Sequence, residues 1–146
     1  MRTAINFFNR IFRNHESASS LKFLKCTGDG FFAVYEQPGP ALEAARKIVS
    51  EALASEIQIR IALNWGLITI AGDGDFLGKE VHRLFRIEGL KESDRVSGLA
   101  IPIPPHGRIL ATRSVAETNP GFFKNIGFFR LKGFDEPCEI FLFKGG

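Results

Sequence analysis

Two short apolar runs, Leu21 to Cys26 and Phe31 to Tyr35, face each other across Thr27-Gly28-Asp29-Gly30. Asp-Gly tolerates the positive φ that a tight turn between right-twisted strands demands. This spacing therefore predicts a β-hairpin with Asp29 at its tip. Two strands alone are marginal in water, so the rest of the chain must supply the surfaces that cover them.

The remaining pattern supplies helices and further strands. Ile5, Phe8 and Phe12 recur at helical spacing, which predicts an amphipathic helix over Thr3 to Arg13, ended by the Ser-rich stretch Glu16 to Ser20. Gln37-Pro38-Gly39-Pro40 is a break, and Ala41 to Ala54, rich in Ala, Leu, Glu and Lys, predicts a helix. Ile57, Ile59, Ile61 and Leu63 alternate with other residues, predicting a strand to Trp65. Gly66 would turn it into a second strand, Leu67 to Ala71. After the loop Gly72 to Asp75, a helix is expected over Gly78 to Leu90, with Val81, Leu84, Phe85 and Glu88 on one face and Lys79, His82, Arg83 and Arg86 on the other. Lys91 to His106 carries Pro102, Pro104 and Pro105 and reads as partly extended. Arg108 to Thr112, Phe128 to Leu131 and Glu139 to Phe143 read as strands, with a short helix at Ser114 to Thr118. The order is α+β: helices packed on a largely antiparallel sheet in one domain, residues 1–146, without internal repeat or linker. A ferredoxin-like arrangement would need one more strand before the first helix.

Composition narrows the function classes. No apolar run approaches the ~20 residues of a membrane-spanning helix, and the N-terminal segment lacks the pattern of a secretory signal. A net charge of +3 with a pI near 9.1 suits an anionic ligand but is too weak to argue for nucleic acid. Cys26 and Cys138 each lie in a strand-like run. Two buried, reduced thiols in a cytoplasmic protein is the simplest account, although spacing alone also allows a disulfide. Fifteen Phe against one Trp and one Tyr suits a dry core, since Phe adds bulk without a polar atom to satisfy.

Three segments in register carry a family resemblance. KCTGDGFFAVYE (Lys25 to Glu36) is similar to a Lys, two residues, Gly-Asp and an apolar strand. IRIALNWG (Ile59 to Gly66), followed by GDFLGKEVHRLFRIE (Gly74 to Glu88), resembles an Arg-Ile-Gly-Leu-His-x-Gly strand and a Gly-x-x-Val-Asn-x-x-x-Arg helix. GRILATRSV and FFRLKGFDEPCEIFLF resemble a closing strand, a short helix and a Leu-Lys-Gly-Phe tail. Together they resemble the class III adenylate and guanylate cyclases. The resemblance implies a ferredoxin-like core, a homodimer with active sites at its interface, and two Mg²⁺ or Mn²⁺ ions assisting attack of the ribose 3′-hydroxyl on the α-phosphate.

Residue by residue, the resemblance makes Asp29 a metal carboxylate, although Asp-Gly turns are also common for conformational reasons alone. It makes Lys25 and Asp75 the purine-reading pair, with Asp73 an alternative register for the second. A Lys donor and an Asp acceptor suit adenine, so ATP is favoured over GTP. Arg86 matches the arginine that steadies the triphosphate, and His82, four residues earlier on the same helix face, stands at the ribose-orienting position. The bland alternatives are a solvated Lys25, a loop or capping Asp75 and a solvated basic helix face.

Two departures bear on activity. His82 replaces the family's Asn, and no Asp precedes Asp29, so the first metal-binding strand has no counterpart before the first helix. A shortened chain, a misassigned start or a strand donated by a partner would each account for this. The expectation is a cyclase-type domain that is weak or inactive as written. The alternatives are a non-catalytic cyclase-homology module in signalling and, less well supported, a ferredoxin-like RNA-binding domain. The long segment Lys91 to His106 is expected to pack over the nucleotide side or a partner.

Overall fold

Leu21–Cys26 (β1) and Phe31–Tyr35 (β2) pair antiparallel, with Cys26 opposite Phe31 and Leu21 opposite Tyr35, as the Asp-Gly signal requires. They belong to a computed structural model that describes residues 21–26, 30–66, 69–70, 76–98 and 101–145. The expected helix over Thr3 to Arg13, the hairpin tip with Asp29, and the loop Gly72 to Asp75 lie outside the described residues. The chain divides into two compact units, Met1–Ile57 and Gln58–Gly146.

In the first unit, Pro38–Ala54 (α1) packs on β2. The helix starts three residues earlier than the sequence suggests, because Pro38 sits in the first turn, where its missing N–H leaves no hydrogen bond unmade. Leu42, Ala45, Ile48 and Ala52 form its buried stripe. Its end is a Schellman turn: the Ile57 N–H donates to the Ala52 carbonyl at 2.8 Å and the Glu56 N–H to that of Leu53 at 3.3 Å. Glu56 adopts the left-handed φ of 57° that this turn needs.

The second unit is built on a five-stranded sheet in the order β3-β7-β9-β8-β6. Its strands are Arg60–Leu63 (β3), Arg95–Ser97 (β6), Arg108–Ala111 (β7), Phe123–Phe129 (β8) and Cys138–Phe143 (β9). A two-stranded ribbon, Thr69–Ile70 (β4) with Phe76–Leu77 (β5), precedes the helix Lys79–Glu88 (α2), and Arg113–Ala116 (α3) follows β7. β3 and β7 run parallel and the other neighbours antiparallel. A parallel pair needs a crossover, and α2 lies in the one between β3 and β7. All four residues of β7 are buried. Leu110 of this strand joins Ile87, Leu90, Ile126, Phe129, Leu131 and Ile140 in one apolar cluster.

This topology corrects two expectations. The strand ending near Trp65 does not turn back on itself through Gly66: β3 pairs with the distant β7, and β4 pairs with β5. A lone Gly is a weak turn signal beside the burial gained by placing β3 against a fully buried strand. β8 also begins five residues before the expected Phe128. Lys124, Asn125 and Gly127 look like loop residues, but a β-bulge absorbs them. The Asn125 side chain accepts the Gly127 N–H at 2.8 Å, and the register shifts between Asn125 and Gly127.

The segment after α2 is fastened to the sheet. Glu92–Asp94 forms a 3₁₀ turn, and β6 pairs with β8. The Arg95 guanidinium donates to the carbonyls of Ile126 and Ile101, pairs with Glu92 and lies 4.7 Å from the Phe129 ring centre. Glu92 in turn accepts the Ile103 N–H at 3.1 Å. On the opposite side of β8, Arg113 binds Glu139 through two bonds of 2.7 and 2.8 Å, and Asn125 adds a third at 2.6 Å. The Arg113 hydrogen bonds hold the Glu139 carboxyl below its usual range despite partial burial, helped by Asn125. A depressed folded-state pKa stabilises the fold above the unfolded glutamate pKa and loses that contribution as the pH falls through the folded value. Glu139→Gln is therefore expected to lower stability by about 0.5–1 kcal/mol at neutral pH and by nothing in strong acid. Urea melts across the acid range check this, and an equal deficit at every pH would refute it.

Candidate active site

α2 carries two of the residues singled out from sequence. Val81 and Ile87 face inward, while His82 and Arg86, one helical turn apart, are exposed. Glu80 in the first turn and Arg86 in the last both complement the helix dipole. Phe85, expected on the apolar face, is 44% exposed, because the buried stripe runs through Val81 and Ile87.

A polar network sets the N-terminal half of α2 against the ends of β3 and β7. The Asn64 amide donates to the Glu80 carbonyl at 3.0 Å and to its carboxylate at 3.1 Å. The Thr112 hydroxyl donates to the Asn64 side-chain carbonyl at 2.8 Å and lies 2.9 Å from the Ser114 hydroxyl, which accepts the Trp65 N–H. Gly66 makes room for this: a Cβ there would sit 3.0 Å from Glu80 Cγ. Sequence reading did not single out Asn64, because its partners Glu80 and Thr112 lie 16 and 48 residues away.

Glu80 also pairs with Arg83 at 2.9 Å, and Arg83 lies 4.6 Å from the centre of the Phe134 ring. His82 stacks on the same ring, centroids 5.3 Å apart and planes 23° apart, with Lys79 Nζ at 5.9 Å. Lys79, His82 and Arg83 thus gather around one aromatic ring. Cys138 is a free, buried thiol; burial pushes its pKa up, with Arg83 pulling the other way. The side chain of Cys26 lies outside the described ones.

Of the other candidates, Lys25 is exposed on β1, opposite Phe32, in the first compact unit. Asp29, Asp75 and the alternative Asp73 lie outside the described residues. The structure therefore brings together His82 and Arg86, and it adds Phe134, which the sequence marked only as part of a tail motif. Among the described residues no three His, Cys, Asp or Glu side chains gather closely enough to hold a metal ion. Among them, too, no helix is long and apolar enough to cross a membrane.

No family model matches the sequence, and no curated protein matches it by sequence. Solved structures do match. An adenylate/guanylate cyclase/hydrolase from Silicibacter pomeroyi is 22% identical with a TM-score of 0.67, over 98% of this chain and 85% of that one. The catalytic core of a rhodopsin-guanylyl cyclase with converted specificity, in complex with ATPαS, is 18% identical with a TM-score of 0.74, over 99% and 79%. The adenylyl cyclase CyaB from P. aeruginosa is 18% identical with a TM-score of 0.69, over 99% and 80%. These matches span nearly the whole chain, so the chain has the α+β fold of the class III adenylate and guanylate cyclase domains.

Proposed function

We propose that this chain is a class III nucleotidyl cyclase-type domain that takes ATP, with turnover weak or lost as written. The observation that supports the reading best is the pair His82 and Arg86, exposed one turn apart on a helix of a cyclase fold, where the motif resemblance assigns a ribose-orienting and a phosphate-binding residue. In this reading Lys25 donates to an adenine ring nitrogen and Asp75 accepts from the exocyclic amine. The Arg86 fork binds triphosphate oxygens as charge shifts onto them, and His82 orients the ribose. Asp29 would hold Mg²⁺ or Mn²⁺, which supplies charge neutralisation at the phosphates when bound. The described residues contain no fuller metal cluster, so the proposed roles of this chain's residues stop at binding and orientation. The working unit is proposed to be a cytoplasmic homodimer.

A second reading, a cyclase-homology module that binds nucleotide or a protein partner without turnover, is favoured by one feature. The His82 ring is already stacked on Phe134, whereas the family places a hydrogen-bonding Asn there. Product assays separate the two readings. Cyclic AMP and cyclic GMP are measured from ATP and GTP with Mg²⁺ or Mn²⁺, for the wild-type chain, Asp29→Ala and Arg86→Ala. The expected result is a trace of cyclic AMP that vanishes in Asp29→Ala and drops about 10²–10³-fold in Arg86→Ala. No product from folded protein that still binds ATP would leave a domain that binds nucleotide without turnover, the point at which the first reading with turnover lost and the second coincide, and would remove the active cyclase. Neither product nor binding would remove both.

A further inference from the structure

We infer that Phe134 is the positioning residue for the His82 imidazole, an inference that rests on the nucleotide reading above. The ring is itself held firmly. Leu131 to Phe134 form a turn closed by the Phe134 N–H donating to the Leu131 carbonyl at 3.0 Å. Gly133 provides the positive φ of 89° that the third position of such a turn demands. Phe134 packs its half-buried ring against the apolar cluster of the sheet. A ring fixed at its base by a turn and on its side by the core is a rigid platform.

His82 lies on that platform in an offset stack, at 5.3 Å and 23°. Gly133 completes the seat: a Cβ there would stand 3.1 Å from His82 Nε2, so the absence of a side chain lets the imidazole edge settle against the backbone. Arg83, clamped by Glu80, and Lys79 approach the same Phe134 ring from the helix that carries His82. An exposed histidine on a helix ordinarily samples several rotamers. This seat selects one of them. The consequence is specific to a chain with His in place of Asn: the longer, flatter side chain is aimed by the tail turn rather than by its own reach.

The test reads the seat and its use separately. The imidazole signals of His82, assigned with His82→Asn, are recorded by NMR in the wild-type chain, Phe134→Leu and Phe134→Trp, and ATP·Mg²⁺ affinity is measured by calorimetry. Phe134→Met replaces the leucine variant should that one not fold. Phe134→Leu is expected to move the His82 signals out of the aromatic ring current and to weaken ATP binding by up to about tenfold. Phe134→Trp should restore both. In a His82→Ala background, Phe134→Leu should have no further effect on affinity. Unmoved His82 signals in Phe134→Leu overturn the inference, as does an affinity loss of equal size with and without His82. Moved signals together with a wild-type chain that binds no ATP would sink the nucleotide reading and reduce Phe134 to a packing residue.

Discussion

Gly127→Ala is expected to be among the most destabilising single substitutions in the second compact unit, lowering unfolding free energy by about 3–5 kcal/mol. Gly127 sits in the bulge of β8 with a φ of 112°. A Cβ there would lie 2.2 Å from the Ser97 carbonyl oxygen and 2.9 Å from the Gly98 Cα. These neighbours are backbone, so no rotamer change relieves the clash. The facing Gly98 has the reciprocal problem: its φ is 130°, and a Cβ would meet the Gly127 Cα at 2.4 Å. The two glycines let β6 and β8 approach at the bulge, and separating them would also loosen the Arg95 bond to the Ile126 carbonyl. Urea denaturation gives the free energy, and limited proteolysis between β6 and β7 reports the detached strand. A Gly127→Ala variant within about 1 kcal/mol of wild type would contradict the close approach. Because the two residues share one contact, Gly98→Ala in the same chain should add less than its separate effect.

Arg108→Met is expected to cost about 3–5 kcal/mol, by removing a buried cation that donates to three backbone carbonyls. Arg108 is 4% exposed on β7. Its guanidinium donates to the carbonyls of Glu88 at 2.9 Å, Leu90 at 2.8 Å and Pro104 at 3.1 Å. The first two close the C-terminal end of α2, where unpaired carbonyls and the negative pole of the helix dipole both want a cation. Burial lowers the Arg108 pKa, the neighbouring Arg60 lowers it further and Glu88 opposes them. Arginine stays charged through shifts of this kind, so the fork remains a donor. Arg108→Lys keeps a charge but not the planar fork, and it should fall between wild type and methionine. Thermal unfolding with calorimetry checks the order. Methionine at wild-type stability would mean that the three carbonyls find water instead. Since Arg86 stands two residues before Glu88, the methionine variant should also weaken any nucleotide binding that Arg86 provides.

Much of the local structure was legible because it rests on local chemistry. Asp29-Gly30 between two apolar runs announced the β1–β2 pairing, whereas Pro38, read as a break, lies in the first turn of α1. The helical spacing announced α2 and the exposure of His82 and Arg86, but not that of Phe85, which was placed on the apolar face. The expectation of a Phe-rich core was met by Phe32 and Phe129, whereas Phe85 and Phe128 stay exposed. β8 was read too short, because Gly127 breaks the alternation that marks a strand, and only the facing Gly98 shows why a glycine belongs there.

What the amino-acid order determined by itself is the set of elements and the motif register, since hydrophobic period, turn chemistry and residue spacing act within a dozen residues. It also named Lys25, Asp29, Asp75, His82 and Arg86 as the residues to watch. Only the tertiary structure decided that β3 pairs with β7 rather than with its sequence neighbour, that Arg108 closes α2 from a buried strand, and that Phe134 lies under His82. Each of these joins residues about twenty to fifty positions apart. Their energies come from burial and from satisfying buried backbone, terms that exist only once distant segments have already met.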